Sequence, residues 1–388
     1  MKKQRSSNIE LLRIIAMFLI VLHHAIVHGG LDKTLINFYT IPNFLAHGFT
    51  IFSLQSLVVF GKMGVAIFVL ITGYFMVYSQ TRLVKVIKIW LIIFIYSLGL
   101  FLISLAINVQ NFSIAGLVKS ILPVIFSNYW FMTSYVVMYL FIPALNTFLN
   151  KATRSLRQRV IELLFLINVI LPILFATMPD NAVALGATNV TSFILLYLIG
   201  AEMRFRQLLQ PRYRLVSRTL FWGSLLGYIA SIACLDGLGL ITKKAFFIEH
   251  ATVLSGTGSN GIFALGMAVG LFVIVGTRTI KRRKSINLLA TSTLSVYLIH
   301  DNPYIRSWLW HTVFRLGTLS KAVWWLGIVR LVVVTMIVYV VATLIDLTRQ
   351  GLFNRMENQF CSWAANRINV MNRGIEEKAH LVMTKFTK

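Results

Sequence analysis

The chain has 388 residues, of which 57% are hydrophobic and only 13% charged, with a mean hydropathy of +0.77 and a formal net charge of +25. That balance excludes a water-soluble globular domain and a disordered chain, and it fits a polytopic membrane protein whose helices are apolar most of the way round. The bases cluster between apolar runs, so the excess charge indicates membrane orientation and lipid contact, with no nucleic-acid partner. The two cysteines, Cys234 and Cys361, form neither a disulfide framework nor a metal-ligand pattern, and no metal is expected.

The first apolar run, residues 9–28, is long enough to cross a bilayer, yet it carries Glu10, Arg13, His23 and His24. Ionisable groups inside a span are costly and mark functional sites. Arg13 and His24 are eleven residues apart, which places them within roughly 20° on one helix face and separates them by about 16 Å. Glu10 lies one turn from Arg13, within ion-pair reach. One stripe therefore runs Glu10, Arg13, Met17, His24. His23 points away from it and reads as a packing residue.

Further apolar runs follow at about 62–78, 83–107, 129–149, 160–178, 190–205, 216–235, 261–276, 286–300 and 322–347. The expected fold is therefore an all-α membrane protein, a bundle of about ten transmembrane helices, with runs six, eight and nine short for a full span. With the N-terminus on the cytoplasmic side, inner segments hold 27 of the 37 Lys and Arg and outer segments hold 7. That asymmetry predicts both termini cytoplasmic. Lys62 is expected at the outer end of the second span, snorkelling to the interface. Trp308, Trp310, Trp324 and Trp325 are expected to form an outer aromatic belt. Residues 1–348 are read as the transmembrane domain and 349–388 as a basic amphipathic cytoplasmic tail. In that tail Phe353, Met356, Phe360 and Trp363 recur at helical spacing. Either an anionic membrane surface or the underside of the bundle would take that face.

Several segments together resemble acyltransferase family 3. NIELLRIIAMFLIVLHH is similar to the family's first helix, in which an Arg, ten intervening residues and then a His occur; here these are Arg13 and His24. IFVLITGYFM, NYWFMTSYVVMYLFIPALN, LLYLIGAEMRF and STLSVYLIH resemble later family segments, in the family's order, over about residues 8–345. Thr72 stands where the family usually has Ser before Gly73. Lys85 and Lys88 stand where arginine is more usual, and lysine lacks arginine's bidentate fork for phosphate.

The resemblance implies a multipass protein of a bacterial plasma membrane. It would move an acyl group, by default acetyl, from cytoplasmic acyl-CoA to a hydroxyl of a cell-surface glycan or its lipid-linked precursor. On that reading Arg13, Arg82, Lys85 and Lys88 would hold the coenzyme's phosphates. His24 would act as general base or transient acyl carrier, with Glu10 and Arg13 supporting the site. His300 and Asp301 would orient the acceptor or His24. A transporter or flippase for a lipid-linked glycan would also carry buried charges and many spans. It often shows repeat symmetry between its halves, and none is visible here.

Overall fold

The computed structural model describes residues 6–31, 39–175, 188–256 and 261–386. Among these residues every regular element is helical. Helix α1 (Ser7–Ala25) continues into a π-type turn, Ile26–Gly30. It is followed by α2 (Ile41–Met76), α3 (Leu83–Ala106), the short α4 (Ile114–Ile121) and α5 (Trp130–Lys151). Next come α6 (Arg154–Phe165), α7 (Leu171–Phe175), α8 (Asn189–Phe205) and α9 (Arg214–Thr242). The chain ends with α10 (Ala245–Glu249), α11 (Ile262–Gly276), α12 (Lys284–Leu289), α13 (Thr293–His300) and α14 (Trp324–Phe386).

Seven helical stretches are long and apolar enough to cross a membrane, where the sequence suggested ten. The difference lies in the three short runs. Helices α8 and α11 have 17 and 15 residues. The run at 286–300 is broken by a 3₁₀ turn at Ala290–Ser292. There Thr291 Oγ1 donates to the Leu288 carbonyl and Thr293 Oγ1 to the Ala290 carbonyl. Such back-bonding competes with the regular helical ladder. The second run is much longer than expected. Helix α2 has 36 residues with a non-helical kink at His47, so Lys62 falls in mid-helix and not at an end. The tail is not a separate element either, because α14 runs unbroken across residues 348 and 349.

Helix α1 is the axis of the bundle. It packs against α2, α11, α13 and α14, and thirteen of its nineteen residues are buried. Helices α3, α6 and α9 instead bury few of their residues, as lipid-facing helices do. Between helices in lipid, close backbone approach supplies much of the packing energy. The α2–α8 crossing depends on it: a Cβ on Gly73 would lie 2.1 Å from the Tyr197 carbonyl oxygen, and one on Gly200 would lie 2.3 Å from that of Leu70. Both obstacles are backbone atoms and cannot turn aside.

Gly73→Val or Gly200→Val is therefore expected to destabilise the purified protein by at least about 1–3 kcal/mol, read as a lowered melting temperature. Gly223→Ala, which meets nothing within 4 Å, should leave melting unchanged or slightly raised. Equal melting of all three variants would refute the crossing.

Candidate active site

The ends of α1 and α13 meet at a pair of imidazoles. His24 Nδ1 lies 2.8 Å from His300 Nε2, and His300 Nδ1 lies 2.6 Å from the carbonyl oxygen of Val296. A carbonyl only accepts, so His300 Nδ1 carries a proton and donates it. With both rings neutral, His300 Nε2 is then an acceptor, His24 Nδ1–H donates to it, and His24 Nε2 keeps its lone pair. This nitrogen is a base oriented by two fixed partners. Behind it, Asp301 Oδ1 lies 3.8 Å from His24 Nδ1 and 3.7 Å from His28 Nε2. Arg306 Nη1 holds the same carboxylate oxygen at 3.1 Å. A buried carboxylate beside a histidine stabilises its protonated form, as in other His–Asp pairs.

His24, His28 and Asp301 also offer three donor atoms within 4.8 Å of one another. A metal there would compete with His300 for His24 Nδ1, and the Arg306 guanidinium on Asp301 opposes a second cation. The set is already committed to hydrogen bonds and ion pairs that suit proton transfer. His23 plays a different part. Its Nδ1 lies 2.8 Å from the Val58 carbonyl, which it meets as donor, and this ties α1 to α2.

Two cavities approach this centre from opposite ends. One, of about 450 Å³, is lined by Glu10, Arg13 and Met17 of α1, Thr72 of α2, Lys88 of α3, and Arg349 and Asn354 of α14, and it reaches in to Tyr135, Phe131 and Tyr297. The other, of about 400 Å³, holds His24, His28, Lys62 and Trp130. Both are within the range of small-molecule sites. An aromatic partition stands between them. The Tyr297 ring lies 5.5 Å from that of Phe131 and 6.2 Å from that of His24. The Tyr297 hydroxyl is buried near the Asp301 carboxylate and the Phe131 backbone, with no hydrogen bond of 3.5 Å or less among the described residues.

Of the residues singled out in the sequence, Glu10, Arg13 and Lys88 share the first cavity. Arg13 Nη1 binds Glu10 Oε1 at 2.9 Å, and Lys88 Nζ donates to Asn354 at 2.9 Å and Asn358 at 2.7 Å. His24 and His300 meet at the partition, although 276 residues separate them. Arg82 and Lys85 are exposed and do not line the cavity. Arg82 precedes α3 and Lys85 begins it, one turn too early to face inward as Lys88 does. Trp310 leaves the expected belt: it is fully buried with its ring 6.4 Å from His300, whereas Trp324 and Trp325 are exposed.

Sequence reasoning missed Arg349 and Asn354, because they belong to the supposed tail. Arg349 Nε binds Asp346 Oδ1 at 2.9 Å and its Nη1 contacts Glu357, while the Tyr96 hydroxyl donates to Asp346 at 2.8 Å. The available signal was an Asp and an Arg three residues apart near the end of an apolar run.

The family model for acyltransferase family 3, described as an acyltransferase domain, matches residues 6–346. No curated protein and no solved structure matches the chain.

In ¹⁵N-histidine spectra, assigned with a His24→Gln variant, His24 Nε2 is expected to resonate as the unprotonated nitrogen near neutral pH. Replacing His300 by Ala should mix the two tautomers. A protonated Nε2 in the wild type would contradict the relay.

Proposed function

This chain belongs to acyltransferase family 3, and on that premise we propose that it moves an acyl group, acetyl by default, from acyl-CoA to a hydroxyl of a cell-surface glycan or its lipid-linked precursor. The observation that carries this reading is the oriented imidazole of His24, which lines one cavity, set against a cation-rimmed cavity on the other side of Tyr297. The cation-rimmed cavity is the donor site and faces the cytoplasm of a bacterial cell, in line with the distribution of bases. Arg13 and Lys88 at its rim take the coenzyme's phosphates. The pantetheine arm lies along Met17 and Thr72 and brings the thioester to Tyr297.

The acceptor hydroxyl enters the His24 cavity. His24 Nε2 removes its proton as the oxygen attacks the thioester carbonyl, and the Asp301 carboxylate stabilises the imidazolium that forms. The carbonyl oxygen becomes negative in the tetrahedral intermediate, and on this reading the Tyr297 hydroxyl turns to donate to it. Collapse of the intermediate expels the coenzyme thiolate, which takes the proton back from His24, leaving an ester on the glycan. Motion of the Tyr297 and Phe131 rings joins the two cavities for the reaction.

In purified protein, His24→Ala is expected to lower labelled acetyl transfer by about 10²–10⁴-fold with normal membrane insertion. Arg13→Ala and Lys88→Ala should each raise the KM for acetyl-CoA, with Arg82→Ala changing it least. In a deletion strain, NMR of the surface polysaccharide should lose O-acetyl signals that only the wild-type gene restores. Normal O-acetylation with truncated or missing polymer would favour a lipid-linked-glycan transporter instead.

A further inference from the structure

The cavity around His24 contains a cation with no counterpart. Lys62 lies in mid-α2, half-buried, and lines the cavity beside His23, His24 and His28. Its position is set by packing: a Cβ on the adjacent Gly61 would lie 2.2 Å from His23 Cβ, so α2 presses flat on α1 there and turns residue 62 along the flank of the histidines. Among the described residues no hydrogen bond or ion pair reaches Lys62 Nζ, and none of the cavity's lining residues is acidic. The nearby carboxylate, Asp301, is 2% exposed and is held by Arg306 behind His24. Lys62 stands in the middle of the 36-residue α2, on the face that lines the cavity.

An ammonium kept among apolar and neutral groups without a partner is costly unless something supplies the opposite charge. The rest of the lining indicates what that is. Trp130 offers a flat apolar face, and Asn189, Thr252 and Ser255 offer neutral hydrogen-bonding groups, a set suited to a sugar ring and its hydroxyls. We propose that this cavity is an acceptor subsite for a saccharide bearing a negative charge next to the hydroxyl to be acylated, with Lys62 pairing to that carboxylate or phosphate. Lys62 thereby sets acceptor specificity and register, while His24 acts on the neighbouring hydroxyl. The acylation of the bound saccharide rests on the acyltransferase reading; its binding does not.

The test uses the full-length protein in nanodiscs with labelled acetyl-CoA and three acceptors. These are a uronate-containing oligosaccharide, its carboxyl-reduced neutral counterpart, and the neutral saccharide linked to a polyprenyl diphosphate. Wild type should prefer a charged acceptor. Preference for the uronate assigns the charge to the sugar, and preference for the diphosphate-linked form assigns it to the lipid carrier. Lys62→Met should raise the KM for the preferred acceptor about tenfold or more and remove the preference, with the KM for acetyl-CoA unchanged. Lys62→Arg should restore part of it. Equal use of charged and neutral acceptors by wild type, or a Lys62→Met variant with unaltered preference, overturns the proposal. If wild type acylates nothing, the acyltransferase reading fails by itself. Saturation-transfer NMR of the same saccharides then decides Lys62: charge-selective binding lost in Lys62→Met sustains the subsite, and equal binding by both proteins rejects it.

Discussion

The hydrogen bond between His24 and His300 is the constraint on which the rest of the arrangement depends. It joins the first helix to a short helix 276 residues further along the chain, and it sets which nitrogen of His24 is basic. For it to form, α1 must be held in register along its whole length. The opposite end of α1 is held by Asn8, whose side-chain amide donates to the carbonyls of Gly276 and Arg278, and by Ser7, which bonds Asn287 and accepts from the Arg283 amide. One helix is thus pinned at both ends, and the cavities open on either side of its middle.

The two cavities differ in chemistry because their walls come from different parts of the chain. The cation-rimmed cavity gathers Arg13, Lys88 and Arg349 from three helices, with Asp346, Glu357 and two asparagines bracing the rim. Two carboxylates, Asp346 and Glu357, hold Arg349, whereas Arg13 has Glu10 and Lys88 has two neutral asparagines, so the charge of Arg13 and Lys88 is less fully matched at the rim. The continuation of α14 beyond the bundle is part of this wall, so it is structural as well as basic. Cys361 and Ala365 on it are buried while Phe353, Met356, Phe360 and Trp363 stay exposed. One face of the helix is packed and an apolar face is left exposed.

Separation of the cavities by Tyr297 and Phe131 also has a chemical use. On the proposed reading, a thioester and the base would be kept apart until both substrates are present, which would limit wasteful hydrolysis. The glycines of α2 serve the same geometry: Gly61 brings His23 and Lys62 to one cavity, and Gly73 locks α2 to α8 further along.

The sequence alone determined the membrane class, the helical architecture and the unusual charge of the first span, because hydropathy, charge spacing and the helical period are local properties. Glu10, Arg13 and His24 were legible as one stripe from a 3.6-residue repeat, and the family resemblance led to the same first helix and to His300. Span number was less legible: a run of apolar residues does not show whether Thr291 and Thr293 will break it or whether α2 will extend upstream to Ile41. Contacts between distant segments were not legible at all. Only the tertiary structure decided that His24 meets His300, that Lys88 and not Arg82 or Lys85 faces the cavity, that Arg349 belongs to its wall, and that Lys62 stands unpaired beside the histidines. Each of these depends on how far one helix is rotated and slid against another, and close packing of small residues across helix pairs sets that, not the periodicity within any one helix.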